Sequence, residues 1–114
     1  MRNLLFLLML FCVSVSAQIE VTHFNAGWNS TNNVPWYMDL KDCKTIGHTD
    51  IAKDTEAQTE YKIAVVPTII IFKDGEEVAR FQADLSFKMV ATKEEVQEEI
   101  KVTLEKIEDK LYNR

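Results

Sequence analysis

One stretch limits the folds open to this chain more than any other. Val65 to Phe72 is almost continuously apolar and β-branched, interrupted by Pro67. A run of that length and composition reads as a strand covered on both faces, because a half-exposed strand would alternate apolar with polar. Lys73-Asp74-Gly75-Glu76 follows at once, and Asp-Gly is the dipeptide of a tight hairpin. Glu77 to Gln82 is then the returning strand. A doubly covered strand needs further strands beside it and layers above and below, so the rest of the chain has to supply them.

The flanking patterns do so. Ile19 to Ala26 alternates as a strand, with Ile19, Val21 and His23 on one face and Thr22, Phe24 and Ala26 on the other. Gly27 to Asn33 reads as a polar loop, and Pro35 suits the first turn of a short helix over Trp36 to Lys41. Lys44 to Ile51 holds a brief strand, and Lys53 to Tyr61 a second helix. Thr92 and Glu95 have the spacing of a capping box. Beyond them Val96, Ile100, Leu104, Ile107 and Leu111 form one apolar stripe on a long, otherwise charged helix. The expected fold class is α/β, with a mixed four-stranded sheet flanked by helices. The long helix covers one face of that sheet, and its far end could also serve an oligomer contact.

Residues 1–17 read as a secretory signal peptide rather than as fold. Arg2 gives a positive start, Leu4 to Val13 is an unbroken apolar run of ten residues, and Val15-Ser16-Ala17 supplies a cleavage site before Gln18. The run is too short for a membrane span, which needs about 20 residues, so no stable membrane anchor is expected after cleavage. The expected domain is 18–114, exported, in a periplasm or cell envelope if the source is bacterial and otherwise secreted. The formal charge of −5 grows by one when Arg2 leaves, which argues against nucleic acid and anionic lipid as partners.

Of two cysteines, Cys12 falls in the signal and Cys43 is left alone. An internal disulfide is therefore not available to the mature chain. Cys43 is a packed thiol, the nucleophile of a monothiol redox protein, or half of an intermolecular bridge.

Two segments resemble the thioredoxin family. Val21-Thr22-His23-Phe24-Asn25-Ala26-Gly27-Trp28 is similar to the strand that enters the thioredoxin active site, with Trp28 where the family carries a Trp before its first redox cysteine. Tyr61 through Glu76, containing Val66-Pro67-Thr68, resembles the family's cis-proline loop, buried strand and hairpin. Asp50 and Gln58 stand at spacings that also fit. The resemblance runs over about residues 19 to 110 and implies a thioredoxin-like fold. That fold is trimmed at its N-terminus, because the expected cleavage leaves no room for the family's preceding strand and helix.

The same resemblance places the family's two cysteines at Asn29 and Asn32. Asparagine has no ionisable nucleophile, so neither attack on a disulfide nor resolution of a mixed disulfide is available at those positions. Dithiol reductase activity is not expected. His23 falls where the family has a buried carboxylate; it is either a proton-transfer group or a strand histidine satisfied by a neighbour. The resemblance implies a peptide groove made by Trp28, Asn29, Asn32, Val66, Pro67 and Thr68, taking an extended peptide or a partner protein. Trp28 is either an aromatic platform there or a partly buried core residue. Asn29-Ser30-Thr31 also fits a glycosylation acceptor pattern. No pattern calls for a cofactor. A metal site from His23, Cys43, His48 and Asp50 has spacings of no known ligand set.

Overall fold

The computed structural model describes residues 19–112; the expected signal peptide lies outside them. Four strands form one sheet: β1 (Ile19–Asn25), β2 (Thr45–Asp50), β3 (Thr68–Lys73) and β4 (Glu76–Gln82). Their order is β2-β1-β3-β4. β1 runs parallel to β2, with Val21 opposite Ile46 and His23 opposite His48. β1 is antiparallel to β3, and β3 to β4. The sheet is therefore mixed, as the sequence patterns require.

β3 is central, and Thr68 to Phe72 are all buried. It begins later than the apolar run, because Val65 and Val66 belong to the loop ahead of Pro67. The Val66–Pro67 peptide is cis. The Asp-Gly turn forms as expected, with Asp74 at φ 52° and Gly75 at φ 82°. Both values are left-handed, the backbone of a turn that matches strand twist.

The two faces of the sheet bury separate cores, following the alternation along β1 and β3. One face packs Ile19, Val21, Ile69 and Ile71 against Val96, Ile100 and Ile107 of the long helix α2 (Lys93–Tyr112), together with Val34 and Leu40. The other gathers Phe24, Ala26, Ile51, Ile63, Val66, Ile70 and Phe72. α2 starts as expected, with Thr92 Oγ accepting from the Glu95 N–H at 3.2 Å. The short helix α1 (Thr55–Glu60) is capped by Asp54, whose side chain accepts from the Ala57 N–H. No helix among the described residues is long and apolar enough to cross a membrane.

The stretch after β1 departs from expectation. The helix read over Trp36 to Lys41 is a single 3-10 turn, Tyr37–Asp39. The stretch read as loop contains 3-10 turns over Gly27–Asn32, broken at Asn29 by φ −113° and ψ 21°. Over Gly27–Asn32 side-chain competition favours such turns. Asn, Ser and Thr hydrogen-bond nearby backbone and each other, and so favour turns over a continuous α-helix.

Candidate functional site

The C-terminal end of β1 delivers Asn25 and then the turns that carry Trp28 and Asn29. Asp50, ending β2, fixes where those turns begin: its Oδ1 accepts from the Gly27 N–H at 3.2 Å and the Ala52 N–H at 2.9 Å. Asn29 then turns inward and is 5 % exposed. Its Nδ2 lies 3.1 Å from Asn25 Oδ1, 3.4 Å from the Val66 carbonyl and 3.2 Å from the Phe87 carbonyl. Two amide hydrogens are shared among these three acceptors. Its Oδ1 accepts from Asn32 Nδ2 at 2.8 Å. Asn25 Nδ2 donates in turn to the Asn29 carbonyl at 3.1 Å and to Asn33 Oδ1 at 2.6 Å. One side chain thereby joins the end of β1, the cis-proline loop and the β4–α2 loop.

This network corrects the groove expected at the site. Asn29 points into the protein and spends its amide on internal acceptors, so it is not a groove-lining group. Asn32 is half-buried and engaged by Asn29. Val66, Pro67 and Thr68 are buried as well, and Thr68 Oγ donates to the Val65 carbonyl at 2.6 Å. Asn29 is a buried cross-brace, while Ser30, Thr31 and Asn33 of the same loop are exposed. The glycosylation pattern at Asn29 meets the same obstacle, since a glycan would need the Nδ2 that the brace occupies.

Trp28 is 66 % exposed, so it is not a core residue. It meets the Phe87 ring edge-on at a centroid distance of 5.3 Å, a favoured aromatic geometry. Phe87 adopts φ 64° and is 41 % exposed. Beneath the pair is a hollow of about 90 Å³, lined by Ile51, Gln58, Ile63, Ala64, Val65 and Val66 along with the two rings. Arg80 of β4 ties down the chain just ahead of Ile63: its guanidinium donates to the Tyr61 carbonyl at 2.6 Å and the Lys62 carbonyl at 2.9 Å. Glu77 grips the same guanidinium at 2.8 and 3.0 Å, the bidentate geometry that fixes an arginine in direction.

His23 and Cys43 occupy different ground from the hollow. His23 has no exposed surface. Its Nε2 accepts from the Val34 N–H at 3.2 Å, and its Nδ1 lies 2.8 Å from Nδ1 of His48. It is thus a histidine satisfied by its neighbours, and burial, with the nearby His48, lowers its pKa to about 4. Cys43 precedes β2, while the brace lies at the other end of the parallel β1–β2 pair, a strand rise of roughly 17 Å away. Burial, then the Asp42 charge, pushes the Cys43 thiol up; no α-helix ends there to act on it. Among the described residues, no three metal-ligating side chains cluster.

The sequence reading gave no site role to Asn25, Arg80 and Phe87, and weighed His48 as a metal ligand alone. The Asn25 signal was present in the spacing of Asn25, Asn29, Asn32 and Asn33. Phe87 had no local signal, because it reaches the site from a separate loop.

No protein-family profile matches the chain. A thioredoxin from Chlamydia pneumoniae is 44 % identical over 36 residues, covering 32 % of this chain and 35 % of that relative. The match thus spans about a third of the relative's length. Among solved structures, reduced Schistosoma mansoni thioredoxin pre-protein is 25 % identical with a TM-score of 0.57, covering 87 % of this chain and 88 % of its own. A mutant thioredoxin from Halobacterium salinarum gives a TM-score of 0.58 at 18 % identity, covering 75 % and 74 %. Oxidised Plasmodium falciparum thioredoxin gives 0.57 at 17 %, covering 77 % and 83 %. The mixed sheet with helices on its faces is the thioredoxin fold. The chain is thioredoxin-like in fold.

Proposed function

We propose that this chain is an exported, non-catalytic thioredoxin-like module that binds an extended segment of a partner protein. The observation that carries the reading is the exposed Trp28–Phe87 pair standing over an apolar hollow beside the cis-proline loop. Large aromatic rings left in solvent next to a concavity fit an anchoring site for an apolar side chain. Asn29 supports the same reading from below. A side chain that ties three segments together holds the hollow in shape, and it offers no nucleophile to a disulfide.

The monothiol alternative, with Cys43 as nucleophile, has less behind it. A reactive thiol needs a lowered pKa and an approach for its substrate, whereas Cys43 is half-buried and its pKa is raised.

Binding is tested with a permanently unfolded, carboxymethylated protein, which has no thiols. Trp36→Phe leaves Trp28 as the fluorescent reporter. The expected result is a saturable Trp28 response, with Phe87→Ala and Pro67→Ala weakening it. Direct calorimetry should show Trp28→Ala weakening it too. Binding that ignores all three substitutions would remove the groove from the account.

A further inference from the structure

His23 and His48 face each other across β1 and β2 at register-paired positions. The Tyr37 ring stacks on His23 at 4.3 Å and 6° from parallel. The proton count in this cluster follows from its contacts. A ring nitrogen that accepts from an amide carries no hydrogen, so His23 Nε2, facing the Val34 N–H, is bare. His23 therefore holds its proton on Nδ1 and donates it to His48 Nδ1, which leaves His48 protonated on Nε2. The tautomers are assigned from the hydrogen-bond partners.

The arrangement has no place for another proton. Added to His23 Nε2, it sets two donors against each other at the Val34 amide. Added to His48 Nδ1, it sets two donors face to face between the rings. If His23 then shifts its own proton to Nε2, the conflict moves to Val34. Each microstate with one more proton loses a hydrogen bond of the cluster.

Val34 closes the segment that begins at Gly27 and contains the Asn29 brace. It follows Asn33, which Asn25 holds. We propose that His23, held by His48, is a proton-operated latch on the Gly27–Val34 segment, so that a proton taken up on His23 Nε2 frees the Val34 amide and loosens the brace beside the Trp28 hollow.

The surroundings set little other charge against His23. Of the ionisable groups near His23, His48 is the one whose charge acts on it. Its partner on β3 is Ile69, and α2 brings Val96 and Ile100 to the same core. Tyr37 is the titratable group from the 3-10 turn. Asp39 on that turn and Asp42 beyond it are exposed. On β2, Asp50 stands two residues from His48 with its carboxylate held by backbone amides. His48 is exposed on the outer strand, which gives solvent protons a route to the cluster.

Nitrogen-15 NMR of the chain tests the latch. Near neutral pH the ring shifts should show His23 as the Nδ1–H tautomer and His48 as the Nε2–H tautomer. On acidification the Val34 amide should move with the same midpoint as the rings, and its hydrogen exchange should rise about tenfold or more as its bond opens. His48→Gln keeps an acceptor for His23 without a basic ring; it removes the charge that lowers the His23 pKa, and should move that midpoint up. A His23 Nε2–H tautomer, a Val34 amide that ignores the ring titration, or an unchanged midpoint in His48→Gln would each overturn the proposal. The tautomer readout needs no variant, so it stands even if a substituted chain fails to fold.

Discussion

Replacing Asn29 by alanine removes the brace and nothing else of similar size. The side chain donates two hydrogens among Asn25 Oδ1 and the Val66 and Phe87 carbonyls, and accepts one from Asn32. Each intramolecular hydrogen bond contributes about 1 kcal/mol net, and a buried partner left alone costs more, so Asn29→Ala should lose roughly 2–4 kcal/mol. That is a large share of the roughly 5–15 kcal/mol that holds a domain folded. Asn32→Ala serves as the comparison: it breaks one half-buried bond and should lose about 1 kcal/mol or less. Asn29→Asp sharpens the test, because an aspartate cannot donate and would put a negative charge among three oxygens. It should be worse than alanine. Urea unfolding followed by circular dichroism measures all three, with the slope unchanged if only stability has moved. The reasoning fails if Asn29→Ala falls within about 0.5 kcal/mol of the unsubstituted chain, a loss typical of an ordinary surface site. It also fails if aspartate is tolerated better than alanine.

Further outcomes follow from the same geometry. His23 has a pKa of about 4 when folded, against 6.5 as the ordinary value. The unfolded chain therefore binds its proton first, and stability falls as pH drops through the mid-sixes, levelling off below about 4. The total loss is roughly 3 kcal/mol, which His23→Gln should largely abolish in thermal unfolding measured against pH. Cys43 should react with a thiol reagent about tenfold or more slower than a free cysteine near neutral pH, reaching the free rate in denaturant; fast reaction in the folded chain would revive the monothiol alternative. Arg80→Ala should cost about 1–2 kcal/mol in urea unfolding, because the Tyr61 and Lys62 carbonyls lose their donor. Glu77→Ala should cost no more than about 1 kcal/mol, since that ion pair is largely solvated.

The fold was legible because its strongest signals are local. The doubly covered β3, the Asp-Gly turn, the alternation of β1 and the stripe on α2 each dictate their own element and its buried face. The failure over Trp36 to Lys41 had no such local signal, since Met38, Leu40 and Lys41 are good helix formers. The site was legible only in part. Sequence placed Asn29 opposite the family's nucleophile, but reading it as groove-lining assumed that a polar loop faces water. Its burial depends on carbonyls from Val66 and Phe87, 37 and 58 residues away along the chain. The pairing of His23 with His48 likewise depends on the register between β1 and β2, which neither strand specifies alone.

The proposed function takes Asn29 as a structural brace and expects no thiol chemistry at its position. The most direct test is the rate at which the chain accelerates reduction of a protein disulfide by dithiothreitol, with Cys43→Ser measured alongside. The account predicts a rate equal to the blank for both. Acceleration by the unsubstituted chain that disappears with Cys43→Ser would contradict it and make Cys43 the nucleophile.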